Sequence, residues 1–185
     1  QCDVLVVGAG PAGLAAALAA AESGARVILC DEQAEVGGSL LAETTARIDG
    51  YEAQAWLADT VAALRKHERV RLLPRTQAFG YYAQNFVALT QSLADHLSPA
   101  QAGERPRERL WQVRATEVVL ATGAIERPLV FPGNDRPGVM LADAARTYLT
   151  RYGVRAGTRI LVATAHDDAY GVALDFAQAG ASIAL

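Results

Sequence analysis

Apolar positions in this chain fall in short runs separated by glycine or charge, and each run has the length of one strand or one helix. Residues 3–7 are apolar after Asp3 and barely alternate, as a strand buried on both faces of a parallel sheet requires. Residues 12–23, rich in Ala and Leu, predict a helix with side chains small enough to lie close to a sheet, and Gly24 stops it. Residues 26–30 (Arg-Val-Ile-Leu-Cys) predict a second strand that ends at Asp31-Glu32. Gly37-Gly38-Ser39 then breaks the chain, and residues 51–66 predict a helix with Trp56, Leu57, Val61 and Leu64 on one face. A third parallel strand is expected at 69–73.

Strand character continues at 76–82 and 85–91, joined tightly at Ala83-Gln84 as a hairpin, and at 110–115. Residues 95–109, with Pro99, Gly103 and Pro106 among charges, predict a loop. Residues 117–121 return to the parallel sheet and run into Thr122-Gly123. A loop rich in Pro and Gly covers 126–138 and a helix covers 141–151. A second β-α-β pattern follows: strand 159–163, turn 164–168, helix 169–179 and strand 182–185. The expected class is α/β, a Rossmann-like FAD/NAD(P)-binding fold with a parallel sheet, helices and a small antiparallel β-layer. Residues 1–131 form the expected dinucleotide-binding domain, with the layer inserted at about 76–115. Residues 132–185 form a connector helix and a truncated, degenerate second unit.

Composition narrows the function. With 51% apolar and 20% charged residues in 185, the chain can bury a sizeable core. A net charge of -3 offers no electrostatic footprint for nucleic acid or an anionic membrane, and no apolar run reaches membrane-spanning length. Cys2 and Cys30 make neither a C-x-x-C pair nor a disulfide framework, which suits a reducing cytoplasm. The chain starts at Gln1 and stops at Leu185 inside a predicted strand, so a piece of a longer protein is expected.

The chemistry concentrates at Gly8-Ala9-Gly10-Pro11-Ala12-Gly13, a G-x-G-x-x-G turn between strand and helix. Gly8 permits the tight turn, Gly10 a close approach of backbone to pyrophosphate, and Gly13 close helix–sheet packing. Asp31 stands where a carboxylate accepts a hydrogen bond from a ribose 2′-OH. With Glu32 beside it and no Arg in their place, a 2′-phosphate is repelled, which argues against NADP. The motif fits FAD and NAD alike. Gly38 and Ser39 fall where they either contact the ligand or merely turn the chain. Ala78 either offers strand backbone to adenine or is an ordinary strand residue, and Thr122 and Gly123 either flank the ligand or turn the chain. The second unit carries Thr164 to Tyr170 in the phosphate-loop position and keeps Gly171 alone of the three glycines, so tight dinucleotide binding is not expected there. No catalytic constellation stands out. His67, His96 and His166 lack metal-ligand spacing, Ser39 lacks a nucleophile elbow, and Cys30 lies on a core strand.

Longer stretches add a resemblance. Leu72-Leu73-Pro74-Arg75-Thr76 with Phe79-Gly80-Tyr81-Tyr82, Val119 through Phe131, Asn134 through Leu141 and Arg151-Tyr152-Gly153-Val154 resemble the alpha-subunit family of heterotetrameric sarcosine oxidases. That family lies within the two-dinucleotide-domain flavoproteins. The resemblance implies a bacterial complex with beta, gamma and delta subunits that oxidises sarcosine to glycine and hydrogen peroxide. Tetrahydrofolate captures the one-carbon unit, and the flavins lie outside this stretch. It further implies NAD in this domain, held by Ala12, Asp31, Glu32, Gln33, Ser39 and Ala78, with Gln33 and Ala78 departing from the family's pattern. This stretch alone should not turn over sarcosine. Two alternatives remain open at this point: an FAD-binding subunit of a related amine or opine dehydrogenase complex, and an assembly domain whose dinucleotide is structural.

Overall fold

The computed structural model describes residues 1–184. Two compact units emerge: one from Gln1–Leu41 with Thr45–Gly123, the other from Ala42–Thr44 with the chain from Ala124 onward. In the first, strand β1 (Cys2–Val7), helix α1 (Pro11–Glu22) and strand β2 (Val27–Cys30) form the predicted β-α-β unit. A two-residue hairpin, β3 (Arg47–Ile48) and β4 (Tyr51–Glu52), leads into helix α2 (Ala53–Lys66) and strand β5 (Val70–Leu73). Expected helix 51–66 therefore yields its first two residues to β4, because Tyr51 and Glu52 pair antiparallel with Ile48 and Arg47 of β3.

Strands β6 (Thr76–Tyr82) and β7 (Phe86–Ser92) make the predicted hairpin. The loop beyond holds a single-turn helix, α3 (Pro99–Ala102), whose Ser98 and Gln101 cap each other reciprocally. The strands expected at 110–115 and 117–121 are one element, β8 (Glu108–Leu120). Its first half pairs antiparallel with β7, up to Arg114 against Phe86. From Ala115 onward it pairs parallel with β1. The antiparallel layer thus continues the parallel sheet, in the order β5-β2-β1-β8-β7-β6. A strand this long can change partners midway, since each half satisfies its backbone groups with whichever neighbour lies alongside.

Strand alternation divides the core in two. Val6, Val27 and Leu29 face α1 and α2, packing with Leu14, Ala17, Leu57, Val61 and Leu64. Leu5, Val7, Ile28 and Cys30 face the other way, toward Leu73, Val87, Leu89 and Val113. At the entry to β1 and β2, the exposed Arg26 guanidinium donates to Asp3, and this partner holds the Asp3 carboxyl at about 2, below its ordinary 3.8.

In the second unit, helix α4 (Ala142–Tyr152) precedes strand β9 (Arg159–Leu161), helix α5 (Asp168–Gln178) and strand β10 (Ser182–Ala184). The two strands pair in parallel, Ser182 opposite Arg159, as the second β-α-β pattern requires. Expected strand 159–163 ends two residues early, and position 185 of the last expected strand lies outside the described residues. Phe176 anchors the α5 core with Ala169, Val172 and Ala173. Arg146 of α4 donates to Asp175 of α5 at 2.6 Å and to both carboxylate oxygens of Glu43.

Candidate functional site

Every stem of the first glycine turn is tied down by backbone hydrogen bonds. Gly8 N–H donates to Cys30 O at 2.8 Å, and Ala121 N–H donates to Val7 O at 2.8 Å. The turn therefore sits at the carboxyl ends of β2, β1 and β8, the edge where open α/β sheets take ligands. Gly8 has φ +100, and a Cβ there would lie 2.2 Å from Ala121 O. At Gly13 a Cβ would lie 1.8 Å from Gly8 O. Both positions are closed to any side chain.

Gly10 behaves differently. A Cβ on it would meet nothing nearer than the Gly38 Cα at 3.9 Å, so its outer side is open to an approaching group. Gly38, at φ +55, has no such room, because its Cβ would come within 2.8 Å of Gly10 Cα. Gly37 N–H donates to Ala9 O at 2.8 Å. The second glycine pair thus packs on the first. Nothing in residue spacing shows this contact, which forms across more than 25 residues of chain.

Helix α1 begins with Gly10 as N-cap and Pro11 in its first turn, with no side-chain cap and no acidic residue there. The N–H groups of Ala12 and Gly13, in the first turn, have no intrahelical acceptor, and the positive end of the helix dipole lies with them. A pyrophosphate fits this cradle: open space at Gly10, first-turn N–H groups without intrahelical acceptors, and no competing carboxylate in the first turn.

The Asp31 carboxylate is half-buried and already shared, accepting from Ala9 N–H at 2.6 Å and Gln33 N–H at 2.8 Å. It braces the turn against the end of β2 and keeps lone pairs for a further donor. Glu32, Gln33, Ser39, Thr122 and Gly123 are exposed around this edge, and Gly123 has φ +73. Ala78 lies half-buried on β6, the outermost strand of the sheet, two residues after Thr76, whose N–H donates to Asp31 O at 2.7 Å. An edge strand has backbone groups on its outer side for a ligand to use.

Cys30 is buried beneath the turn, where burial first and Asp31 second push its thiol up to about 12, so it stays a neutral core group. Among the described residues no His/Cys/Asp/Glu group could hold a metal ion, and no helix is long and apolar enough to cross a membrane. A cavity of about 480 Å³ is lined by Ala144, Thr147, Tyr148 and Tyr152 of α4 and holds none of the candidate dinucleotide-binding residues.

Residues 3–125 match the model of the FAD dependent oxidoreductase family. The chain belongs to this family. It is 54% identical over 183 residues, 99% of the chain, to the alpha subunit of sarcosine oxidase from Corynebacterium sp. (strain P-1), and spans 19% of that relative. An opine oxidase subunit from Agrobacterium tumefaciens (strain Ach5) is 34% identical across 86% of the chain, which spans 31% of it. Among solved structures, the L-proline dehydrogenase from P. horikoshii superposes with a TM-score of 0.78 at 25% identity, over 98% of this chain and 34% of that one. The expected α/β, Rossmann-like class and the resemblance to the alpha-subunit family of sarcosine oxidases are both borne out.

Proposed function

We propose that this chain is the dinucleotide-binding part of the alpha subunit of a sarcosine oxidase, and that its site holds NAD. The observation that carries the reading is 54% identity along 99% of the chain to one such subunit, joined to a glycine turn closed to side chains at Gly8 and Gly13 and open at Gly10. In this reading the N–H groups of Ala12 and Gly13 hold the pyrophosphate, beside Gly8, Gly10 and Pro11. Asp31 accepts from the ribose. Glu32, Gln33 and Ala78 stand at the adenosine end, and Gly38, Ser39, Thr122 and Gly123 line the other side of the turn.

The parent complex, with beta, gamma and delta subunits in the cytoplasm, would demethylate sarcosine oxidatively, with dioxygen as the oxidant reduced to hydrogen peroxide and tetrahydrofolate taking the one-carbon unit, yielding glycine and methylenetetrahydrofolate. No residue on this chain is assigned to that chemistry. A bound dinucleotide would supply hydride-transfer capacity, while the protein groups named here bind and orient it. FAD is the second reading, favoured by the family match, and the opine oxidase relative extends it to a related amine or opine dehydrogenase complex. Colour decides between the two: a colourless preparation that releases NAD on acid extraction is expected, and a bound flavin spectrum would replace NAD with FAD.

A further inference from the structure

A polar pocket of about 260 Å³ opens beside the ribose end of the site, lined by Glu32, Arg75, Gln77, Thr90, Ser92 and Glu108. It is contiguous with Asp31 through the backbone, because Arg75 N–H donates to Gln33 O at 2.9 Å and Thr76 N–H to Asp31 O at 2.7 Å. Arg75 itself has φ +53, a left-handed conformation unusual for a residue with a side chain. Two backbone bonds hold it there, its own to Gln33 and one from Ser92 N–H to Arg75 O at 2.9 Å. Strain of this kind persists where the surroundings over-determine it and commonly marks a binding position.

Arg75 is a half-buried residue that lines this pocket together with residues bearing hydroxyl, amide and carboxylate groups. The pocket is too small for a whole dinucleotide and suits one end of it. Glu32 and Glu108 disfavour a phosphate there, whereas a neutral purine finds donors and acceptors on the rim and a flat cation to lie on. We infer that Arg75 is a binding residue that sets preference at the adenosine end, stacking its guanidinium on the adenine ring, an inference that rests on the dinucleotide reading above.

ADP tests this, because its adenosine diphosphate is common to NAD and FAD, with inorganic pyrophosphate as the base-free probe. Arg75→Gly removes the guanidinium at a φ that glycine adopts freely, which protects the fold. Calorimetry is expected to show ADP binding weakened roughly tenfold in Arg75→Gly with pyrophosphate affinity unchanged, and Arg75→Lys no better than Arg75→Gly. Equal ADP affinity in Arg75→Gly and the parent protein would overturn the inference and leave the dinucleotide reading standing. A matching loss of pyrophosphate, or full recovery with Arg75→Lys, would show that Arg75 acts by charge and overturn the stacking. If the parent protein binds none of NAD, FAD or ADP, the dinucleotide reading itself fails.

Discussion

The two strand–turn–helix units of this molecule share a layout and differ in what fills the turn. In the first, side chains are excluded at Gly8 and Gly13 by contacts of 2.2 and 1.8 Å, and α1 starts without an acidic residue or a side-chain cap. In the second, Gly171 has open space around it, so nothing there demands glycine. The Thr164 hydroxyl occupies that turn, donating to His166 O at 2.7 Å and accepting from His166 N–H at 3.1 Å. Asp168 also sits in the first turn of α5 and opposes an incoming anion. A phosphate site therefore depends on what each glycine allows to come near, and the order of elements alone does not create one.

Substitution at the glycines should break this contrast most sharply. Gly13→Ala pushes a methyl group into the Gly8 carbonyl, and a loss of about 3 kcal/mol or more in unfolding free energy is expected from urea denaturation. A near-neutral result would mean that the turn is looser than its contacts indicate. Asp31→Ala comes next. It removes the acceptor for Ala9 and Gln33 N–H as well as the proposed ribose contact, and NAD affinity by calorimetry should fall by about 1–3 kcal/mol, roughly 5- to 150-fold. Binding unchanged by this substitution would remove Asp31 from the site. Gly171→Ala should have the smallest effect and the opposite sign. In an open helical position Ala is favoured by about 1 kcal/mol, so thermal unfolding should move slightly upward. A clear destabilisation would give Gly171 a role that the second turn does not otherwise show.

Much of this architecture was legible along the chain because it follows from local rules. The buried parallel strands show as unbroken apolar runs, and the helices as small-residue or amphipathic runs with glycine stops. Gly8, Gly10 and Gly13 stand at a spacing that only a strand-to-helix turn explains, with Asp31 closing the next strand. Other features arise from partners distant in sequence. Strand β8 is one element because β7 and β1 both lie alongside it, although its sequence reads as two strands. Gly38 packs on Gly10, and Asp31 braces Ala9 across 22 residues. Arg75 takes a left-handed conformation that no neighbouring residue type announces, since its cause is a pair of bonds to Gln33 and Ser92. Local sequence determined the elements and the glycine cradle, because backbone sterics and apolar periodicity act within a few residues. Only the tertiary structure decided which groups meet at the sheet's edge, because those contacts are satisfied after distant strands have paired.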